Sequence, residues 1–584
     1  MNDNERKIAE LIADAEAIAP EAPRLAKPRL LVDRSNPDIA VAAVRDLLAE
    51  HGELFDRGVP VRLAFDAVRK CHLIQVMTPD GLVRTVHSIS RPYRLNHKGE
   101  ELDCLFPRQL GVMYLDWRGE WHLNTLNGIA SSPLLQGNGS IGTKQGYDAP
   151  SGMFIEGVPS LDGLVPDQPS REEAKAALLR IRETFRTFSF ADAVTDAPYA
   201  PYAPSLVDIS QPPGKDESAF LCALMTAVCR PSLPLAPGIL IRAAPMSGAG
   251  AGKGLLARCI SIIAFGQEPH AVTSGGSHEE LEKRIATELM EGNPVLFLDN
   301  LNNVAFKSDL LASAITERPA RVRILGKSEM ITLNASALVI LTGNGLSVSE
   351  DLARRFLTID FDPRTEDPEA RAFPNDIKAE VRKRRRELLA ALLLIWRWGR
   401  QATDLKAGKP LGSFELWSKW VRDPLLTLGC ADPAEQVNEA KERDSRRQFV
   451  LDLLNLWQKH HGERPVAVRD LHDDIRGCLD PHKRGRQFVS AQIEKLAGTR
   501  IAGYQFTRQP SAGRWGAATY ALKIAVTPQE HRHHRGHRDL PGTPGVMDQD
   551  VAGPMTPMPP MPPAPANENT ANAGKEDEEW KAAI

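Results

Sequence analysis

One stretch, Pro245-Met-Ser-Gly-Ala-Gly-Ala-Gly-Lys-Gly254, constrains this chain more than any other. It follows an apolar run, Gly238 to Ala244, and precedes a helix-like run, Leu255 to Ile263. A strand, a glycine-rich turn and a helix in that order form the context of a phosphate-binding loop. Glycines let backbone N–H groups converge on an anion without a Cβ in the way. The helix N-terminus adds partial positive charge. On this reading Ser247, Gly248, Gly250, Gly252 and Gly254 cradle the phosphates, and Lys253 reaches the β- and γ-phosphates. The match to G-x-x-x-x-G-K-[ST] departs twice. Ser247 stands where the first glycine belongs, and Gly254 stands where a Ser or Thr would hold Mg²⁺. The alternative is a flexible Gly/Ala turn between two core elements.

The downstream order favours the loop. A helix is expected over His278 to Met290, then an apolar strand, Pro294 to Leu298, ending in Asp299 and Asn300. A carboxylate there can hold Mg²⁺ at the end of a neighbouring strand; otherwise it opens a turn. Arg321 to Leu333 reads as a β-hairpin with Gly326-Lys327-Ser328-Glu329 at its turn. A third apolar strand, Ala335 to Leu341, ends in Thr342 and Asn344, whose amide can orient water or sense a γ-phosphate. Arg354 and Arg355 then precede another strand.

The order of these parts resembles the AAA+ domain of superfamily 3 helicases. It looks closest to the primase-helicase proteins of phages, plasmids and integrated elements, the poxvirus-type primase-helicase among them. The resemblance is strongest over residues 235–365, with weaker likeness upstream at Leu126-Asn-Gly-Ile129 and Gly146-Tyr-Asp148. It implies ATP and Mg²⁺ as cofactors, with Lys253 on phosphate, Asp299 on Mg²⁺ and Asn344 as a sensor. It implies Arg354 or Arg355 as a finger reaching a neighbour's ATP, hence a homo-oligomeric ring such as a hexamer. Lys327 would grip DNA in a central channel. Gly254 and Asn300 depart from the family pattern: one removes a Mg²⁺-ligating hydroxyl, the other a water-polarising carboxylate. Hydrolysis would then use Glu279, Glu280 or a water positioned by Asn344, or be slow.

The rest of the chain divides by composition. Of 584 residues, 42% are hydrophobic and 25% charged, as in globular proteins, and the net charge of −3 gives no global basic field. The seven cysteines contain no C-x-x-C pair, which argues against a zinc site or a disulfide framework. No run reaches a membrane-spanning length and no signal-peptide core is present, so a soluble, cytoplasmic protein is expected. The expected architecture is α/β: an N-terminal helix and linker (1–28), a mixed α+β domain (29–160), a linker and helical region (161–234), a P-loop AAA+ ATPase core (235–365), a helical lid (366–444), a winged-helix domain (445–525) and a disordered tail (526–584).

Within these parts, Pro79-Asp-Gly81 reads as a turn, and Gly146-Tyr-Asp148 as a turn with a packed Tyr. No paired carboxylates in 29–160 suggest a nucleotidyl transferase centre, so a separate primase is an expected partner. Arg171 to Phe188 and Glu217 to Cys229 read as helices, as does Asp376 to Arg397. That last helix carries Arg382-Lys-Arg-Arg-Arg386, either a solvated face or a DNA contact. Helices over Arg447–His460, Ala467–Ile475 and Gln487–Leu496, then strands flanking a Gly/Arg-rich loop, suggest a winged helix. Lys483, Arg484, Arg486, Arg508, Arg514 and Trp515 would meet DNA there, unless the module docks protein. The tail's histidines, His531, His533, His534 and His537, read as part of a solvated basic tract, with metal binding the weaker alternative. Two functions follow. One is an ATP-driven ring helicase acting on single-stranded or forked DNA in replication of a mobile element. The other is a nucleotide-regulated DNA-binding scaffold with little turnover.

Overall fold

The computed structural model describes residues 27–33, 35–68, 70–198, 200, 202–245, 248–273, 277–302, 305–323, 330–437, 445–509 and 518–524. Ser247, Lys327, Arg514, Trp515, the tail and the N-terminal segment before residue 27 lie outside the described residues. The protein is mixed α/β around a five-stranded parallel sheet. Its strands are β1 (Gly238–Ala243), β2 (Ala271–Val272), β3 (Val295–Leu298), β4 (Leu338–Asn344) and β5 (Phe356–Phe361), in spatial order β2-β3-β4-β1-β5. Strands covered on both faces must be apolar nearly throughout, and β3 and all of β4 but its last residue are fully buried. Register pairs Ala243 with Asn344 and Leu298 with Leu341. The exits of β1, β3 and β4 therefore gather at one edge, where open α/β sheets bind ligands.

Four helices matter for that edge: α1 (Lys253–Phe265), α2 (His278–Glu291), α3 (Ile377–Lys383) and α4 (Arg385–Gln401). The helix Lys215–Cys229 is buried on nearly every side, so its Ala and Leu content serves packing. Arg171–Phe185 starts on a capping box, Ser170 with Glu173. One apolar cluster runs from Leu135 to Val437 and takes in all five strands. The hairpin arms expected between β3 and β4 are present, with Ala320–Arg323 antiparallel to Met330–Leu333.

Several expectations are corrected. Pro79-Asp-Gly81 opens a helix, Pro79–Ile89, because Thr78 Oγ1 accepts the Gly81 N–H and caps it. Gly146–Asp148 is a strand paired with Met153–Ile155, and Tyr147 donates its hydroxyl to the Thr125 carbonyl. The helix expected over Asp376–Arg397 breaks at Arg384, between α3 and α4. The expected helix Ala467–Ile475 is a short strand, Val466–Ala467, a 3₁₀ turn and a helix beginning at Asp473. The described residues of 445–509 and 518–524 form three α-helices on a four-stranded antiparallel sheet, with Trp457, Ile493, Phe506 and Leu522 in their core.

The basic run Arg382–Arg386 is divided: Arg382, Lys383 and Arg386 are exposed, whereas Arg384 and Arg385 are half-buried. Arg384 pairs with Glu380 and Glu387. Arg386 donates to the Ser160 carbonyl. Arg385 donates to the carbonyls of Ile263 and Ala264, which end α1, and to those of Ser131 and Gly157. Burial pushes the Arg385 guanidinium down to about 10. No helix among the described residues is long and apolar enough to cross a membrane, and the cysteines are free thiols.

Candidate functional site

The site builds outward from Lys253, the first residue of α1. Its Nζ donates to the Gly248 carbonyl and to Oδ1 of Asn344, both at 2.5 Å. The first contact folds the loop over the lysine; the second ties it to the end of β4. Burial lowers the Lys253 ammonium below its ordinary value, and Asp299 opposes that shift. Gly248 is needed for close approach. A Cβ there would lie 2.3 Å from Asn344 Oδ1 and 2.6 Å from the Ala244 carbonyl oxygen.

Asp299 follows β3 on the same edge. Thr342, buried in β4, donates its hydroxyl to Asp299 Oδ1 at 2.5 Å and accepts the Asn300 N–H at 3.2 Å. Asn300 has φ of +65°, a left-handed conformation that Asn tolerates better than most residues. Its Oδ1 accepts from Asn302, whose own Oδ1 accepts the Asn344 N–H. The Asn300 side chain is thus part of a turn that locks β3 to β4. Glu279 and Glu280 pair along their own helix with Lys283 and Arg284.

Lys253, Gly248, Asp299 and Asn344 are therefore brought together, with Gly254 facing Asp299. A Cβ at 254 would lie 3.5 Å from either Asp299 oxygen. Three residues that sequence reasoning missed complete the surroundings. Arg258 reaches Asp299 Oδ2 at 3.4 Å; its place one turn after Gly254 was the available signal. Arg371 donates to the Gly250 carbonyl and lies over Phe373, and Glu369 packs against Gly250. Beside the loop, Phe188, Leu255, Arg371, Phe373 and Ile377 line a cavity of about 490 Å³, within the usual size of small-ligand pockets.

Arg354 and Arg355 lie apart from this cluster. Both pair with Asp351, at 2.7 and 2.9 Å, and both line a separate cavity with Glu317 and Lys409. In the C-terminal part, Arg484 stacks over Phe488 and Arg508 faces Glu494. Arg486 lines a cleft with Arg469, Arg476, Lys483 and the acidic Asp473 and Asp480.

No protein-family model and no curated protein matches the chain. Solved structures do. The A form apo structure of the NrS-1 C-terminal region is similar at 13% identity over 82% of this chain and 98% of that one, with a TM-score of 0.33. The active helicase Cch of SCCmec type IV is similar at 12% identity over 80% and 93%, with a TM-score of 0.25. Overlaps this loose decide neither fold nor activity, and the chemistry has to come from the site itself.

Proposed function

We propose that the chain is an ATP-dependent DNA helicase of the superfamily 3 type, built on a P-loop AAA+ core and acting as a homo-oligomeric ring. The observation that carries this reading is the Lys253 ammonium held between the Gly248 carbonyl and Asn344, beside Asp299, at the carboxyl edge of a parallel sheet. Among the described residues its two hydrogen-bond acceptors, the Gly248 carbonyl and the Asn344 amide, are both neutral, so the ammonium can turn to a phosphate without breaking an ion pair. Asn344 would then be freed to touch the terminal phosphate or orient water.

The donor set suits Mg²⁺, which usually takes one or two carboxylates plus phosphate oxygens and water. Asp299 would be the protein ligand, held in orientation by the Thr342 hydroxyl. The chemistry such an ion would supply there is neutralisation of charge on the phosphates. The hairpin between β3 and β4 would carry Lys327 to DNA, and the C-terminal three-helix module, read as a winged helix, would add Arg484, Arg486, Arg508 and Arg514.

A second reading, a DNA-bound scaffold with little turnover, is favoured by one observation: Asn300 replaces a general base, and its Oδ1 is engaged by Asn302. Steady-state ATP hydrolysis and displacement of a labelled strand from a forked duplex separate the two. The helicase reading expects both activities, abolished by Lys253→Ala. Lys253-dependent ATP binding without hydrolysis or displacement would leave the scaffold.

A further inference from the structure

Helix α1 carries a cation that a phosphate loop does not require. Arg258 sits one turn beyond Gly254, on the same helix face. Its guanidinium lies between two carboxylates, with Nη2 3.4 Å from Asp299 Oδ2 and Nε 3.6 Å from Glu268 Oε2. It also lies 5.4 Å from the centre of the Phe297 ring. A Cβ on residue 254 would fall 2.6 Å from Arg258 Nη1. The room that a Ser or Thr side chain would take beside Asp299 is thus filled by Arg258, and the missing Cβ of Gly254 is what admits the guanidinium.

Charge-assisted hydrogen bonds usually close to about 2.7–2.9 Å. Both Arg258 contacts are longer, so the guanidinium is shared between the carboxylates rather than locked on one. Glu268 is also held from α3, by Lys378 at 3.3 Å and by Arg382. Three cations, Arg258, Lys378 and Arg382, thus converge on the single carboxylate of Glu268, with the Asp376 carboxylate in the same neighbourhood.

From this arrangement, and resting on the nucleotide site read above, we propose that Arg258 is a resident cation of that site. It neutralises Asp299 and attracts the triphosphate where a divalent ion and a residue-254 hydroxyl would otherwise act. Nucleotide binding then depends only weakly on Mg²⁺. Arginine suits this role because its guanidinium is planar, offers several donors and is weakly hydrated. A divalent ion held by Asp299 would leave Arg258 to Glu268, which also pairs with α3.

The test is ATP affinity of the full chain, measured by titration in Mg²⁺ and again in EDTA. The wild type should show a small ratio between the two dissociation constants. Arg258→Ala should raise that ratio by about tenfold or more, chiefly by weakening binding in EDTA. Gly254→Ser should raise it too, by driving the guanidinium off Asp299 and supplying a hydroxyl. Arg258→Lys keeps the charge and should stay near wild type, which keeps the test informative should the alanine variant fold poorly. Binding that needs Lys253 but shows the same ratio in Arg258→Ala and Gly254→Ser overturns the proposal and spares the nucleotide site. No ATP binding by the wild type in either condition overturns both.

Discussion

Gly248→Ala perturbs the site with a single carbon. That carbon would sit 2.3 Å from Asn344 Oδ1 and 2.6 Å from the Ala244 carbonyl oxygen, inside any normal contact. The carbonyl belongs to the backbone leaving β1 and has little room to yield. Asn344 can rotate, but only by giving up the Lys253 ammonium. Overpacking of this kind costs about 1–3 kcal/mol, and the loop meets that cost when it closes on phosphate with Asn344 turned toward the same ligand. Since each 1.4 kcal/mol is about tenfold in affinity, ATP binding should weaken by about ten- to a hundredfold. The damage is confined to the loop, so the unfolding midpoint should barely move. Titration with a fluorescent ATP analogue, beside a melt by circular dichroism, reads both. In Asn344→Ala the nearer clash is gone, so adding Gly248→Ala should do less harm than it does in the wild type. ATP affinity within twofold of wild type in folded Gly248→Ala would refute the link between loop, lysine and Asn344.

Three further outcomes are expected. Arg354→Ala or Arg355→Ala, whichever removes the finger, should keep ATP binding and lose about 10³-fold in hydrolysis. Mixing that variant with Lys253→Ala should restore activity at hybrid interfaces, whereas full ATPase activity in a strict monomer would rule the finger out. Lys327→Ala should bind ATP normally but lose strand displacement, with a shallower salt dependence for single-stranded DNA; wild-type displacement with an unchanged slope would make Lys327 an ordinary solvated lysine. Burial raises the Asp216 carboxyl from 3.8 to about 7. The folded protein therefore keeps a proton that the unfolded chain has lost, and stability should fall as pH rises through that window, by up to about 1.4 kcal/mol per pH unit, then level off. Asp216→Asn should remove that part of the slope in urea melts at pH 5 and 8, and an unaltered slope would contradict it.

The elements nearest the site were legible because their signals are local. The apolar runs of β1, β3 and β4 and the glycine-rich turn before α1 can each be seen in a short window. The partnership of Lys253 with Asn344 could not, since nothing in either segment states that β1 and β4 are neighbours. Arg258 was overlooked for the same reason: its meaning comes from Asp299 and Glu268, on other elements. Pro79-Asp-Gly81 failed differently. Proline suits both a turn and a first helical position, and only the Thr78 cap decides between them. Within Arg382–Arg386 the solvated-face reading fits Arg382, Lys383 and Arg386, whereas the half-burial of Arg385 was not legible because its carbonyl partners lie more than a hundred residues upstream.

Arg385 bears on how such a chain can be divided or recombined. Its guanidinium joins the end of the helix that begins at Lys253 to carbonyls at Ser131 and Gly157, and the Ser132 hydroxyl donates to Ala264 on the same helix end. A fragment starting after residue 160 would keep the arginine and lose half of what it holds. An exchange that grafted a new leading module onto the later segments would have to bring acceptors to the same two places. The seam a gene engineer would choose from composition therefore cuts through a joint, and the smallest piece expected to keep the Lys253 helix properly anchored begins before residue 131.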